Sequence, residues 1–232
     1  MDAHIAVCIT TRNRYEVFKK TLFMHGKFRP DNSSLFVVDD ASDKPIRIGG
    51  NFFRFDENVG VATAKNKCLE LADKWGADHI FLFDSDCHPI SPDWHLPYIN
   101  SGQKHLMYNF RLPNKPKTDM QEIHRDDKIT AWTHTRGALL YIHRSVLDVV
   151  GGFDERYIFD FYHPDFSNRV YNAGLTKFRS MDVPDSDKLL YCYDQDGKIE
   201  SSVPDKIRKA NSAKDYRLYK ENRQSKAYME YK

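Results

Sequence analysis

The run His79-Ile80-Phe81-Leu82-Phe83 passes directly into Asp84-Ser85-Asp86. A short apolar stretch bounded by turn-forming residues reads as a buried strand. Two carboxylates one residue apart at the end of such a strand are costly unless something compensates their charge. A divalent cation does so, because hard cations take oxygen ligands. The plainer alternative is a strand-to-turn junction, since Asp and Ser both favour turns. In open α/β sheets ligands collect beyond the carboxyl ends of the strands. A cation bridged to a diphosphate is therefore the leading occupant.

The rest of the first hundred residues alternates strand and helix signals. His4 to Thr10 and Ser34 to Asp40 are apolar β runs, and Phe52 to Phe55 is a short third strand. Val17, Phe18, Thr21 and Leu22 repeat at helical spacing between the first two. Val61 to Trp75 is the clearest helix, with Val61, Ala64, Cys68, Leu71, Ala72 and Trp75 on one face. The order β-α-β-β-α-β predicts an α/β fold with a mostly parallel sheet and helices on its faces. Further on, Lys104 to Phe110, Lys128 to Trp132 and Ala138 to Ile142 read as strands. The polar, proline-punctuated stretch from Arg111 to Asp127 reads as a loop over the site. Arg144 to Val150 reads as a short helix stopped by Gly151-Gly152, and His163 to Gly174 as another with Pro164 in its first turn.

Three polar clusters each follow a strand: Thr10-Thr11-Arg12-Asn13, Asp39-Asp40-Ala41-Ser42 and Asp84-Ser85-Asp86. If the strands are parallel, all three meet on one edge of the sheet. Asn58-Val59-Gly60 then opens the helix carrying Lys65, and a helix N-terminus with a Lys one turn in can hold phosphate. A carboxylate only accepts hydrogen bonds. Asp40 can therefore pair only with a hydrogen-bond donor on a ligand. A turn role for Asp39-Asp40 and an exposed helix charge for Lys65 are the plain alternatives.

The strings IAVCITTRNR, LFVVDDAS, NVGVATAKNKCLELA, FLFDSDC and GGFDERY occur in the order seen in family 2 glycosyltransferases of the GT-A fold, which the chain resembles over roughly residues 4 to 174. The resemblance implies a Rossmann-like GT-A domain over 1–204, with a nucleotide-binding half at about 1–103 and an acceptor half at about 104–204. It implies that Asp86 binds Mn2+ or Mg2+, with Asp84 on metal or ribose. Thr10, Arg12 and Asp40 would line the base pocket, with Asn58 and Ser85 also on the donor; Asp40 there would suit the imide N–H of uracil, thymine or guanine and reject cytosine and adenine. Lys65 stands where the family has an Arg facing the nucleotide. The donor would be a UDP-sugar first, then dTDP or GDP, with hexose or N-acetylhexosamine transferred and the anomeric carbon inverted. Trp132, Arg136 and Gly137 match an acceptor-side loop. The family's Glu-Asp pair is missing before Arg169, which leaves Asp165, His163 and Asp160, in that order, as candidates for the base. His163 is also a candidate third metal ligand. A non-catalytic sugar-nucleotide or glycan-binding module is one alternative. A nucleotidyltransferase is another, but it wants a Gly-rich loop that ITTRNR lacks.

Four cysteines with no CxxC spacing, and no leader or long apolar run, fit a reducing, cytoplasmic setting. The +2 formal charge is unevenly spread. Residues 205–232 carry nine Lys or Arg against four acids, interleaved with Tyr216, Tyr219, Tyr228 and Tyr231. This segment reads as a helical extension. It either packs its tyrosines and solvates its lysines, or touches an anionic membrane surface or polyanion. The acceptor stays open among a glycan, a lipid-linked sugar, a protein and a modified nucleic-acid base.

Overall fold

The computed structural model describes residues 3–46, 48–112, 120–134, 136–197 and 204–231. Six strands make the central sheet: β1 (Ile5–Thr11), β2 (Ser33–Asp39), β3 (Asn51–Arg54), β4 (His79–Asp84), β6 (His105–Met107) and β9 (Leu139–His143). Their order is β3-β2-β1-β4-β9-β6. The first four run parallel, and β9 is antiparallel to both of its neighbours. The sheet is thus mainly parallel, as the alternating elements predict.

Alternation along the strands feeds two cores. Ala6, Cys8, Ile80, Leu82, Leu140 and Ile142 face one apolar cluster. It is completed by helices α2 (Val61–Trp75) and α5 (Tyr162–Asn172). Ile5, Val7, Ile9, Phe81, Phe83, Leu139 and Tyr141 face the other, with Phe18 of α1 (Tyr15–Lys27) and Tyr98 of α3 (Leu96–Asn100). Helices therefore cover both faces.

The bounds of α2 are those read from its periodicity. Ala64, Cys68 and Ala72 are buried as expected, whereas Trp75 remains partly exposed and packs against the ring of His4. Lys65 and Asn66 are also buried, which the apolar pattern does not announce. Gly76 ends the helix in the left-handed conformation. The short helix α4 (Leu147–Val150) follows a 3-10 turn and stops at Gly151.

Two small sheets complete the domain. One is β10 (Met181–Asp182), β8 (Thr130–Trp132) and β7 (Glu122–Arg125); the other pairs β5 (Cys87–Pro89) with β11 (Leu190–Cys192). The stretch expected to be all loop, Arg111 to Asp127, therefore contains a strand. β7 hides because its residues are polar or exposed, so the apolar alternation that marks a strand is absent. Residues 113–119 of that stretch lie outside the described residues.

Helix α6 (Asp205–Asn222) packs on α5 and on the loop before it. The chain then runs on to a parallel bridge between Gly151 and Met229, and Tyr231 is buried in the first core. Tyr216 and Tyr219 both pack against Phe161, though Tyr216, like Tyr228, stays about half exposed. Among the described residues, no helix is long and apolar enough to cross a membrane.

Candidate active site

The three polar clusters do meet. β1, β2 and β4 are parallel and in register, so Thr11 pairs with Asp39 and Thr10 with Asp84. Beyond their ends opens a cavity of about 870 Å³. Thr10, Arg12, Asp40, Asn58, Asp84, Ser85 and Asp86 line it. So do Arg136, Gly137, Asp160 and His163 from the second half of the chain.

Neighbouring acids take different roles. Asp39 is wholly buried and occupied: it pairs with Arg54 and accepts from the backbone N–H and hydroxyl of Ser42. Asp40 points the other way. Its carboxylate accepts from the N–H groups of Val59 (2.7 Å) and Gly60 (3.2 Å), which ties the end of β2 to the start of α2. Burial raises its pKa against those two bonds. Gly60 sits at φ +89, and a Cβ there would lie 3.2 Å from the carbonyl oxygen of Ile158. The turn therefore requires glycine.

Lys65 does not face the cavity. It is fully buried, with its ammonium 2.8 Å from the Asp84 carboxylate. The expectation that it contacts the nucleotide gives way for that reason: its charge is spent on Asp84. Asp86 is buried and paired through Oδ2 with Arg14. Its pKa is pushed up to about 6, first by burial and then by the Asp84 charge, with Arg14 opposing. Its Oδ1 lies 4.0 Å from the Cys192 thiol. Asp86, Cys192 and Asp194 bring one ligand atom each within 4.8 Å of one another. Burial raises the pKa of Asp194 as well. Carboxylates crowded until they resist ionisation are relieved by a cation, and their oxygens suit a hard one. The donor set fits a divalent metal at Asp86 and Asp194. Neither Asp84 nor His163 belongs to that group.

The three candidate bases separate. Asp165 is 1% exposed and does not line the cavity. It pairs with the fully buried Arg169 at 2.9 Å and accepts from the Tyr157 hydroxyl. Arg169 in turn donates to the carbonyls of Val150 and Gly152. The assignment of Asp165 as first choice for the base therefore falls: its helix turns it into the core. His163 lines the cavity, and burial lowers its pKa to about 4, so the ring is neutral at pH 7. Its ring packs on Gly137, where a Cβ would come within 2.7 Å. The space that the missing side chain of Gly137 leaves is thus taken by His163. Asp160 lines the cavity and is half-buried. It accepts from the Phe161 N–H (3.0 Å) and from the Ser212 hydroxyl of α6 (2.8 Å).

On the acceptor side, Arg136 and Gly137 line the cavity but Trp132 does not; it sits under the Arg111 guanidinium. Thr135, in the same loop, lies outside the described residues. The sequence reading missed Arg14, Asp194 and the α6 residues Ile207 and Asn211, all of which line the cavity. Arg14 stood in a quoted string without a role. Asp194 and α6 had no local signal, because each is brought to the site by pairing with distant chain.

The sequence matches no family model and no curated protein. Solved structures share its architecture. TarS of S. aureus gives a TM-score of 0.61 at 12% identity, over 93% of this chain and 43% of TarS. A mannosyltransferase of Pyrobaculum calidifontis, in complex with GDP-Man and Mn2+, gives 0.57 at 17% identity, over 94% of this chain and 65% of that one. A Drosophila β1,4-galactosyltransferase 7 variant, in complex with manganese, UDP-Gal and xylobiose, gives 0.53 at 16% identity, over 90% and 79%. This chain spans less than half the length of TarS. The likeness is one of fold, and the fold is the GT-A type of these glycosyltransferases.

Proposed function

We propose that the protein is a metal-dependent glycosyltransferase, moving a sugar from a nucleotide sugar to an acceptor hydroxyl. The observation behind this reading is that one cavity gathers two kinds of carboxylate: Asp86 and Asp194, crowded together, and Asp160, held apart on the loop before α5. The mannosyltransferase and the galactosyltransferase each hold a nucleotide sugar with manganese, which supports the same pair of ligands here.

Asp40 spends two of its roughly four lone-pair sites on Val59 and Gly60, leaving others for the imide N–H of a base. UDP is the first choice, dTDP and GDP the next. Arg12, Thr10, Asn58 and Ser85 line the donor's side of the cavity. When bound, Mn2+ or Mg2+ supplies positive charge against the charge developing on the leaving diphosphate; Asp86 and Asp194 are the residues to hold it. Asp160 takes the acceptor's proton as the hydroxyl attacks, and a single displacement inverts the anomeric carbon. Arg136, Ile207 and Asn211 line the acceptor's side.

A thermal-shift panel of UDP-, dTDP-, GDP- and CDP-sugars, with and without manganese, tests the reading. The expected result is a manganese-dependent rise in Tm with the first three and none with CDP-sugars, lost in Asp86→Ala. No shift with any sugar nucleotide would overturn it.

A further inference from the structure

Asp215 is an acid on the inward face of a mostly polar helix, and it is fully buried. An unpaired carboxylate there would be costly. Its partners are three consecutive backbone N–H groups: Ile158 (3.3 Å), Phe159 (2.9 Å) and Asp160 (2.8 Å). Successive N–H groups that converge in this way form an anion-binding concavity, and here the anion is supplied by α6. One turn earlier on the same face, Ser212 donates to the Asp160 carboxylate at 2.8 Å. Phe161 follows at φ +60, a conformation costly for a residue with a Cβ. The rings of Tyr216 and Tyr219 hold it there, each at 5.3 Å.

We propose that Asp215 and Ser212 are positioning residues for Asp160: α6 fixes both the backbone and the carboxylate of the group that takes the acceptor's proton. This rests on the reading of Asp160 as the base. Asp215 sets where the loop passes, and Ser212 on Oδ2, with the Phe161 N–H on Oδ1, fixes the plane of the carboxylate while leaving each oxygen a further lone-pair site. Neither residue lines the cavity itself, so donor binding does not depend on them.

The test is a double-mutant cycle on hydrolysis of whichever sugar nucleotide the panel selects, with calorimetry of UDP plus manganese alongside. Ser212→Ala and Asp215→Asn should each lower kcat about tenfold or more while leaving the UDP–manganese Kd within about twofold. In an Asp160→Asn background, Ser212→Ala should have no further effect, because residues acting through one group do not add. Multiplying losses would mean a general structural role and overturn the proposal. Parent-like kcat in Ser212→Ala would overturn it too, and that variant decides the matter if Asp215→Asn does not fold. Parent-like kcat in Asp160→Asn would instead sink the assignment of the base. Absence of turnover by the parent with every sugar nucleotide would remove the glycosyl-transfer reading, and the positioning role with it.

Discussion

Asp160 and Asp165 stand five positions apart, and burial divides their chemistry. Asp165 neutralises Arg169 inside the core, so Asp165→Asn should destabilise the fold by about 3–5 kcal/mol, the usual cost of orphaning a buried charge. Asp160→Asn should leave the melting temperature nearly unchanged and cut turnover by about 10²–10⁴-fold. Denaturant titration and turnover measured on both variants check the contrast, and a stable, inactive Asp165→Asn would reverse the assignment. Asp40→Asn replaces an acceptor with a group that can also donate, and so should erase the preference for UDP over CDP, measured by calorimetry. An unchanged preference would confine Asp40 to tethering Val59 and Gly60. The place of Asp84, Asp86 and Asp40 on the cavity wall was legible because each lies within three positions of the end of an apolar run that fixes a strand end. Asp165 was misplaced because an acid in the first turn of a helix reads alike whether it faces a cavity or a core. Only the position of Arg169 against Val150 and Gly152 decides between them.

Long elements were readable and short ones were not. β1, β2, β4 and α2 carry enough residues for period and burial to speak together. β5, β10 and β11 have two or three residues each and no period to detect. α6 was readable as a helix, yet its composition conceals its inward face. That face mixes Asp215 and Asn222 with Leu218 and Tyr219, so the apolar stripe expected of a core-facing helix is interrupted by polar residues. The chain after α6 is anchored as firmly. Tyr231 is 6% exposed in the first core, and Met229 bridges Gly151. Tyr231→Ala should therefore cost about 3 kcal/mol, typical of truncating a buried aromatic. Full stability in that variant, by thermal melting, would show the segment to be lightly held.

At the scale of the molecule, one buried acid ties stability to pH. Asp182 accepts from Tyr98, Ser186, Val183 and the backbone of Asn109. Burial still pushes its pKa up to about 7. An acid raised in this way holds a proton in the folded state at pH values where the unfolded chain has released it. Its contribution to stability is full below about pH 4 and is lost as pH rises through about 7. Melting temperature should carry a downward component over that window, and Asp182→Asn should flatten it. An unchanged slope would assign the pH dependence elsewhere. The clasp between α6 and residues 158–161 also has a consequence in time. Chains are synthesised from the N-terminus and begin to fold as they emerge. The strands that form the donor side of the cavity are made first, but Ser212 and Asp215 leave the ribosome only after the loop they hold. A nascent chain thus has its carboxylate cluster in place while the opposite wall is missing, and competence arrives with the late-made helix. Any product cut short before α6 would be left with a half-built cavity.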